Sequence, residues 1–189
     1  MTGRPRIILA VPSLSAGGAE KQVVMLANYL AGLADVVVLT MLPSNFNVHQ
    51  LSANVRLVQV PFRRKQISPF NLRAICRYRA YLRRQAPDLI ISFTFPSHLA
   101  TWVALIARPR IPHMVSERNQ NLGSPRRVLL RRWIYRQLVM VSTNTSATAE
   151  TIALNRLAPP PPVVVIPNAV SIPDLPLPRR SQGGTFEWL

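Results

Sequence analysis

With 189 residues and 48% hydrophobic content, the chain has enough apolar material for one sizeable core, which excludes global disorder. A single cysteine, Cys76, excludes an internal disulfide, and His49, His98 and His113 lack metal-ligand spacing with it or with one another. Twenty-three basic residues against seven acidic ones give a net charge of +16, which has two readings: a surface for polyanions (acidic lipid headgroups, phosphorylated substrates or nucleic acid) or a codon bias that favours arginine.

The chain opens on Ile7 to Val11, a continuous apolar run that reads as a strand buried on both faces of a parallel sheet. Pro12 stops that run after five residues, too short for a signal-peptide core, and no later run nears the ~20 residues that span a bilayer. The chain is therefore expected in the cytoplasm, free or peripheral on the inner face of a membrane. Gly17 and Gly18 follow, and a helix is expected from Ala19 to Leu33, with Val23, Leu26, Ala27 and Leu30 on one side. Glycine there has two readings. It lets backbone N–H groups at a helix start approach an anion, or it lets the helix lie close on the sheet. The loop is not Gly-x-Gly-x-x-Gly, and the second strand (Asp35 to Met41) ends without an acid to hold a ribose. No Gly-x-x-x-x-Gly-Lys-Ser/Thr run occurs, so neither a dinucleotide dehydrogenase nor a P-loop NTPase fits.

Strand and helix patterns then alternate. Asn54 to Val60 reads as a strand, and Ser68-Pro69 opens a helix through Phe70 to Gln85. Asp88 to Phe93 is a buried strand, Ser97 to Ala107 an apolar helix and Ile111 to Ser116 a strand. Ser124-Pro125 opens a helix to about Gln137, followed by a strand from Leu138 to Ser142, a helix from Thr145 to Leu157 and a last strand from Val163 to Ile166. This order implies a doubly wound α/β domain with a mainly parallel, Rossmann-like sheet over residues 1–170. Ligands of such sheets sit at the carboxyl ends of the strands. Residues 171–189 carry Pro and Gly punctuation without a period and read as a linker or tail.

Two helices concentrate arginine. Arg73, Arg77 and Arg84 fall on one narrow arc, suited to a multiply charged anion and equally to a solvated face. In the helix after Ser124, Leu129, Leu130, Trp133 and Ile134 share an apolar arc, with Arg131, Arg132 and Tyr135 opposite. That pattern describes a membrane-surface element or a core-facing helix with a charged back.

Four separated pieces resemble the amino-terminal domain of family-4-like glycosyltransferases of the GT-B fold. They are Ile7 to Glu20 with its Gly-Gly-Ala-Glu end, Pro87-Asp-Leu-Ile-Ile-Ser-Phe93, Ser116-Glu-Arg-Asn119 and Val165-Ile-Pro-Asn-Ala-Val170. The resemblance covers roughly residues 5 to 170, departs from the family in Asn-Ala for the usual Asn-Gly, and looks most like the subgroup building polysaccharides and lipid-linked oligosaccharides. It implies an acceptor-binding domain that faces a donor-binding domain across a cleft. Gly17 and Gly18 would then border the donor diphosphate. Glu117 and Arg118 would face the acceptor or transferred sugar, with Asn119 beside them. His98 has two readings, a cleft-mouth donor to a sugar hydroxyl or a helix-start residue near solvent. Arg73, Arg77 and Arg84 would meet acceptor phosphates. No cofactor is implied, since the nucleotide-sugar is a co-substrate, and no metal site. The donor half of the family's cleft has no counterpart here, so a separate donor-domain polypeptide or an inactive remnant is expected. The alternative is a non-catalytic basic module for acidic membrane or nucleic acid, although no zinc-finger spacing, RNP-like motif or GXXG clamp favours nucleic acid.

Overall fold

The computed structural model describes residues 3–43, 46–62, 71–106, 111–155 and 161–170. The strands are β1 (Arg6–Val11), β2 (Asp35–Thr40), β3 (Arg56–Gln59), β4 (Leu89–Phe93), β5 (His113–Glu117), β6 (Met140–Thr143) and β7 (Val163–Val165). The helices are α1 (Gly18–Leu30), α2 (Leu72–Gln85), α3 (Phe95–Leu105), α4 (Pro125–Tyr135) and α5 (Ser146–Leu154), with a short 3-10 turn at Val48–Gln50. The expected helix start at Ser68-Pro69 and the tail after Val170 lie outside the described residues.

All the strands are parallel in the order β3-β2-β1-β4-β5-β6-β7. The order reverses between β1 and β4, so the crevice of a doubly wound sheet opens at the carboxyl ends of those two strands. Right-handed crossovers then decide which helix covers which face. Leu9 and Val11 join Val36, Val38, Ile91 and Phe93 against α1, through Val23, Val24 and Ala27. Their neighbours Ile8 and Ala10 turn to the other side, against Tyr78 of α2 and Ala100 and Ala104 of α3. That second layer continues over β5 and β6, where Val115 and Val141 meet Ile134 and Tyr135 of α4 and Ile152 of α5. Strands sealed on both faces explain why β1 and β2 read as unbroken apolar runs.

The two layers are unequal. Among the described residues α1 shares its face only with the segment of the 3-10 turn, through Val48, Leu51 and Val55, while α2, α3, α4 and α5 share the other. Beside α1 an open cavity of about 530 Å³ runs over β4 and β5, lined by Met25, Tyr29, Ile91, Phe93 and Met114 among others. No helix among the described residues is long and apolar enough to cross a membrane.

Three boundaries differ from the sequence reading in ways that matter for function. Helix α1 ends at Leu30 rather than Leu33, where the Ala31 N–H donates to the Ala27 carbonyl and the Gly32 N–H to the Tyr29 carbonyl. Helix α3 starts at Phe95, with Pro96 in its first turn, so His98 lies inside the helix instead of at its start. Strand β5 reaches Glu117, which pairs in register with Thr143, so Glu117 is a strand residue and not a loop residue.

Candidate functional site at the carboxyl edge of the sheet

The carboxyl edge gathers the loop Ser13 to Gly17, Thr94 after β4, Arg118 and Asn119 after β5, and Asn168 after β7. Thr94 holds a left-handed φ of 64°, unusual for a residue with a Cβ, and its buried Oγ1 has no hydrogen-bond partner. It stands at the topological switch point.

At the start of α1, Gly17 has extended backbone and needs no positive φ. A Cβ there would run into the carboxylate of Glu20, whereas a Cβ on Gly18 meets nothing. Neither glycine is therefore demanded by close packing on the sheet; Gly17 makes room for Glu20. That carboxylate accepts from Ser15 Oγ at 3.3 Å and lies in the first turn of α1, where the free N–H groups and the helix dipole favour a negative charge.

Consecutive residues of β5 alternate sides, and this alternation separates the expected catalytic residues. Glu117 follows Val115 toward the α3–α4 layer and is 1% exposed, instead of facing a cleft. Arg131 of α4 holds it with Nε to Oε1 at 2.6 Å and a second guanidinium contact at 3.3 Å, and Tyr135 donates its hydroxyl at 2.9 Å. His98 is also sealed, at 0% exposure, with Nε2 3.7 Å from Glu117 Oε1. It is thus neither at the mouth of a loop nor near solvent. Ser92 Oγ bridges His98 Nδ1 and His113 Nε2, each at 2.8 Å. Burial by itself would raise the Glu117 pKa, but the facing His98 and Arg131 outweigh it and hold the carboxyl well below the ordinary range. Burial, reinforced by His98, lowers His113 to about 3. Burial and the Glu117 charge push the Tyr135 phenol up.

Arg131 also donates to the Leu122 carbonyl at 2.6 Å, tying this sealed cluster to the loop after β5. Arg118 opens that loop on the opposite side. Its guanidinium donates to Asn168 Oδ1 at 2.7 Å, lies over the Phe93 ring at 5.7 Å, and has its pKa lowered by partial burial. The segment after β7 reaches back to α1, where Gln22 and the Ala169 backbone exchange hydrogen bonds at 2.7 and 2.8 Å. Arg118 and the buried Ser116 line the cavity beside α1 from the sheet side, and Asn168, bonded to Arg118, lies between the lining residues Pro167 and Ala169. Asn119 is exposed just beyond them.

Arg73, Arg77 and Arg84 are all exposed on the outer side of α2. Helix α2 runs back from the carboxyl edge, so Arg84, eleven residues after Arg73, stands about 16 Å further along the axis at the opposite edge of the sheet. The stripe does not converge on the crevice.

Helix α4 is rotated relative to the sequence reading. Arg131 and Tyr135, assigned to the outer side, are buried with Ile134, while Leu129 and Trp133 are exposed. Sequence reasoning put Thr94 and Asn168 on loops at the carboxyl edge, and Glu20 and Asn168 in segments that carry the family resemblance, without giving any of them a role; it missed the inward place of Arg131. Among the described residues no group of His, Cys, Asp and Glu is placed to hold a metal ion.

The profile of the glycosyl transferase 4-like domain matches residues 17–169. No curated protein sequence matches the chain. Among solved structures, Anabaena HepE in complex with UDP and glucose superposes with a TM-score of 0.67 at 14% identity, covering 88% of this chain and 45% of its own. The apo form of the lipopolysaccharide outer core galactosyltransferase WaaB gives 0.66 at 13% identity, covering 94% of this chain and 50% of its own. UDP-N-acetylglucosamine 2-epimerase from Rickettsia bellii gives 0.63 at 12% identity, covering 86% and 44%. The chain thus spans about half the length of these structures, and at such identities the likeness is one of fold.

Proposed function

The chain belongs to the glycosyl transferase 4-like family, and on that premise we propose that it is the acceptor-binding half of a glycosyltransferase. It takes part in moving a sugar from a nucleotide-diphosphate donor to a glycan or lipid-linked acceptor during polysaccharide building. The observation that carries this reading is the family match over residues 17–169, which includes every loop of the crevice except Ser13 to Ala16. The crystallised contents of HepE, UDP and glucose, support the donor class, and the naming of WaaB as a lipopolysaccharide galactosyltransferase supports the acceptor class.

The chemistry asked of this half is to position an acceptor hydroxyl and to supply positive potential for the departing diphosphate. Arg118 and Asn119, braced by Asn168, are the residues proposed to touch the acceptor or the transferred sugar. The N–H groups at Gly17 and Gly18 serve the diphosphate once Glu20 turns aside. Glu117 and His98 act at one remove, by holding the sealed cluster from which Arg131 fixes the loop at Leu122. A second polypeptide segment, in this protein or in a partner, supplies the donor-binding wall, and the whole works peripherally at the cytosolic face of a membrane.

Titration calorimetry of the chain with lipid-diphosphate glycans and with their water-soluble glycan portions tests the reading. Binding that Arg118→Ala weakens is expected. Absence of binding to every acceptor of both kinds overturns the acceptor assignment. Sugar transfer by this chain without any partner overturns its assignment as half of the catalytic cleft.

A further inference from the structure

We propose that the outer face of the α2–α5 layer docks on an anionic lipid bilayer, with Leu129 and Trp133 of α4 entering the headgroup region. This deepens the peripheral placement given above by naming the surface that makes the contact. It rests on where the fold sends charge, which the net charge of the chain leaves open.

The acids are cleared from this layer. Among the described residues Glu117 is sealed against Arg131, Glu20 sits at the start of α1, and Asp35 and Asp88 lie at the amino edge of the sheet, beside Arg6. Glu150 of α5 is, among the described residues, the one exposed acid left on the outer side of the layer. The same side carries exposed Arg73, Arg77, Arg83 and Arg84 on α2 and exposed Arg126, Arg132 and Arg136 on α4. Helices on one face of a sheet turn their outer sides the same way, so these arginines form one basic surface.

The apolar content of that surface decides between polyanions. Leu129 is 55% exposed and Trp133, one turn later on α4, 53% exposed. Across a groove of about 510 Å³, lined by Val128 and Arg132, stands Leu154 of α5, 81% exposed. The Arg136 guanidinium lies over the Trp133 ring at 5.1 Å, so a cation and an aromatic ring share one outward position. Aliphatic side chains among arginines have no partner on a phosphodiester backbone, but they match a headgroup layer above acyl chains. Their exposure is enforced from below, because Arg131 must face Glu117 and thereby turns Leu129 and Trp133 outward.

The test uses the full chain with Trp102→Phe and Trp188→Phe, leaving Trp133 as the reporter. It is mixed with vesicles of phosphatidylcholine alone or with about a third phosphatidylserine, at low and physiological salt. Expected are salt-sensitive binding to the anionic vesicles only, a blue shift of Trp133 emission, and its quenching by brominated acyl chains. Arg126→Ala with Arg132→Ala should weaken binding by about 30-fold, taking about fivefold per arginine. Leu129→Ser should reduce quenching with circular dichroism unchanged. Vesicle binding that leaves Trp133 emission and quenching unaltered overturns this surface while leaving peripheral placement intact. Tighter binding to duplex DNA or RNA than to anionic vesicles, or no vesicle binding at low salt, overturns the proposal. Acceptor binding by calorimetry in vesicle-free solution is read separately, so failure of the docking surface and failure of the acceptor assignment give different results.

Discussion

Beneath α3 and α4 the molecule seals Glu117, Arg131, Tyr135 and His98 away from water, while across the sheet Arg118 and Asn168 bond at the rim of an open cavity. The two regions start from adjacent residues, Glu117 at the end of β5 and Arg118 just after it. Glu117 is committed to a buried cluster in which Arg131 and Tyr135 hold its carboxylate, while Arg118 stays half-buried with an exposed bond to Asn168. The contrast teaches that a polar tetrapeptide such as Ser116-Glu-Arg-Asn119 is not one site. Strand alternation divides it, giving the acid to the frame and the base to the crevice.

The largest test of this division is Arg131→Met. It strands a buried carboxylate and should cost about 3–5 kcal/mol in urea unfolding, with part recovered when Glu117→Gln is added. A loss under about 1 kcal/mol would place Glu117 in water and erase the comparison.

Acid should expose the sealed side next. His113 has its pKa lowered to about 3, below its unfolded value near 6.5, so between those values the unfolded chain binds the extra proton. Stability should therefore fall as pH drops below about 6.5, approaching 1.4 kcal/mol per unit, and be present in full above it. The depressed Glu117 carboxyl adds a loss in the same direction once pH falls below its unfolded value of about 4.3. His113→Gln should flatten the upper part of the curve and Glu117→Gln the lower part. A profile level from pH 7 to 4 would sink the account.

On the crevice side the ranking inverts. Arg118→Ala should change unfolding free energy by less than about 1 kcal/mol, since its Asn168 bond is exposed, yet lower acceptor affinity about tenfold. Equal stability losses at Arg118 and Arg131 would remove the distinction between them.

The smallest effects belong to the glycines. Gly18→Ala meets open space in the first turn of α1 and should be neutral or stabilising by up to about 1 kcal/mol. Gly17→Ala should cost no more than about 1 kcal/mol, because the atoms it meets are the far end of a flexible Glu20 side chain. Thermal melts that separate the two mutants by several kcal/mol would show Glu20 to be rigidly held.

Much of the frame was legible beforehand for a local reason. Runs such as Ile7 to Val11, punctuated by Pro12 and the two glycines, report burial on both faces and a turn into a helix, and seven repetitions imply a parallel sheet. The site was less legible, because the relevant facts are relations between segments. Nothing near Arg131 in sequence announces Glu117, fourteen residues away on another element. The bond between Arg118 and Asn168 spans fifty residues and exists only because the chain after β7 returns toward α1.

Sequence by itself thus determined the order of elements, the sheet they form and the apolar positions that seal β1, since these follow from periods of two and 3.6 residues read within a segment. Tertiary structure decided the rotation of α4. Its sequence offers an apolar arc of Leu129, Leu130, Trp133 and Ile134, roughly a third of a turn from the arc of Val128, Arg131, Ile134 and Tyr135 that is turned inward. Leaving Leu129 and Trp133 about half exposed forgoes roughly 1–3 kcal/mol, whereas a sealed Glu117 without its cation costs about 3–5 kcal/mol. The larger penalty sets the rotation, and that penalty arises only once β5 carries Glu117 beneath the helix.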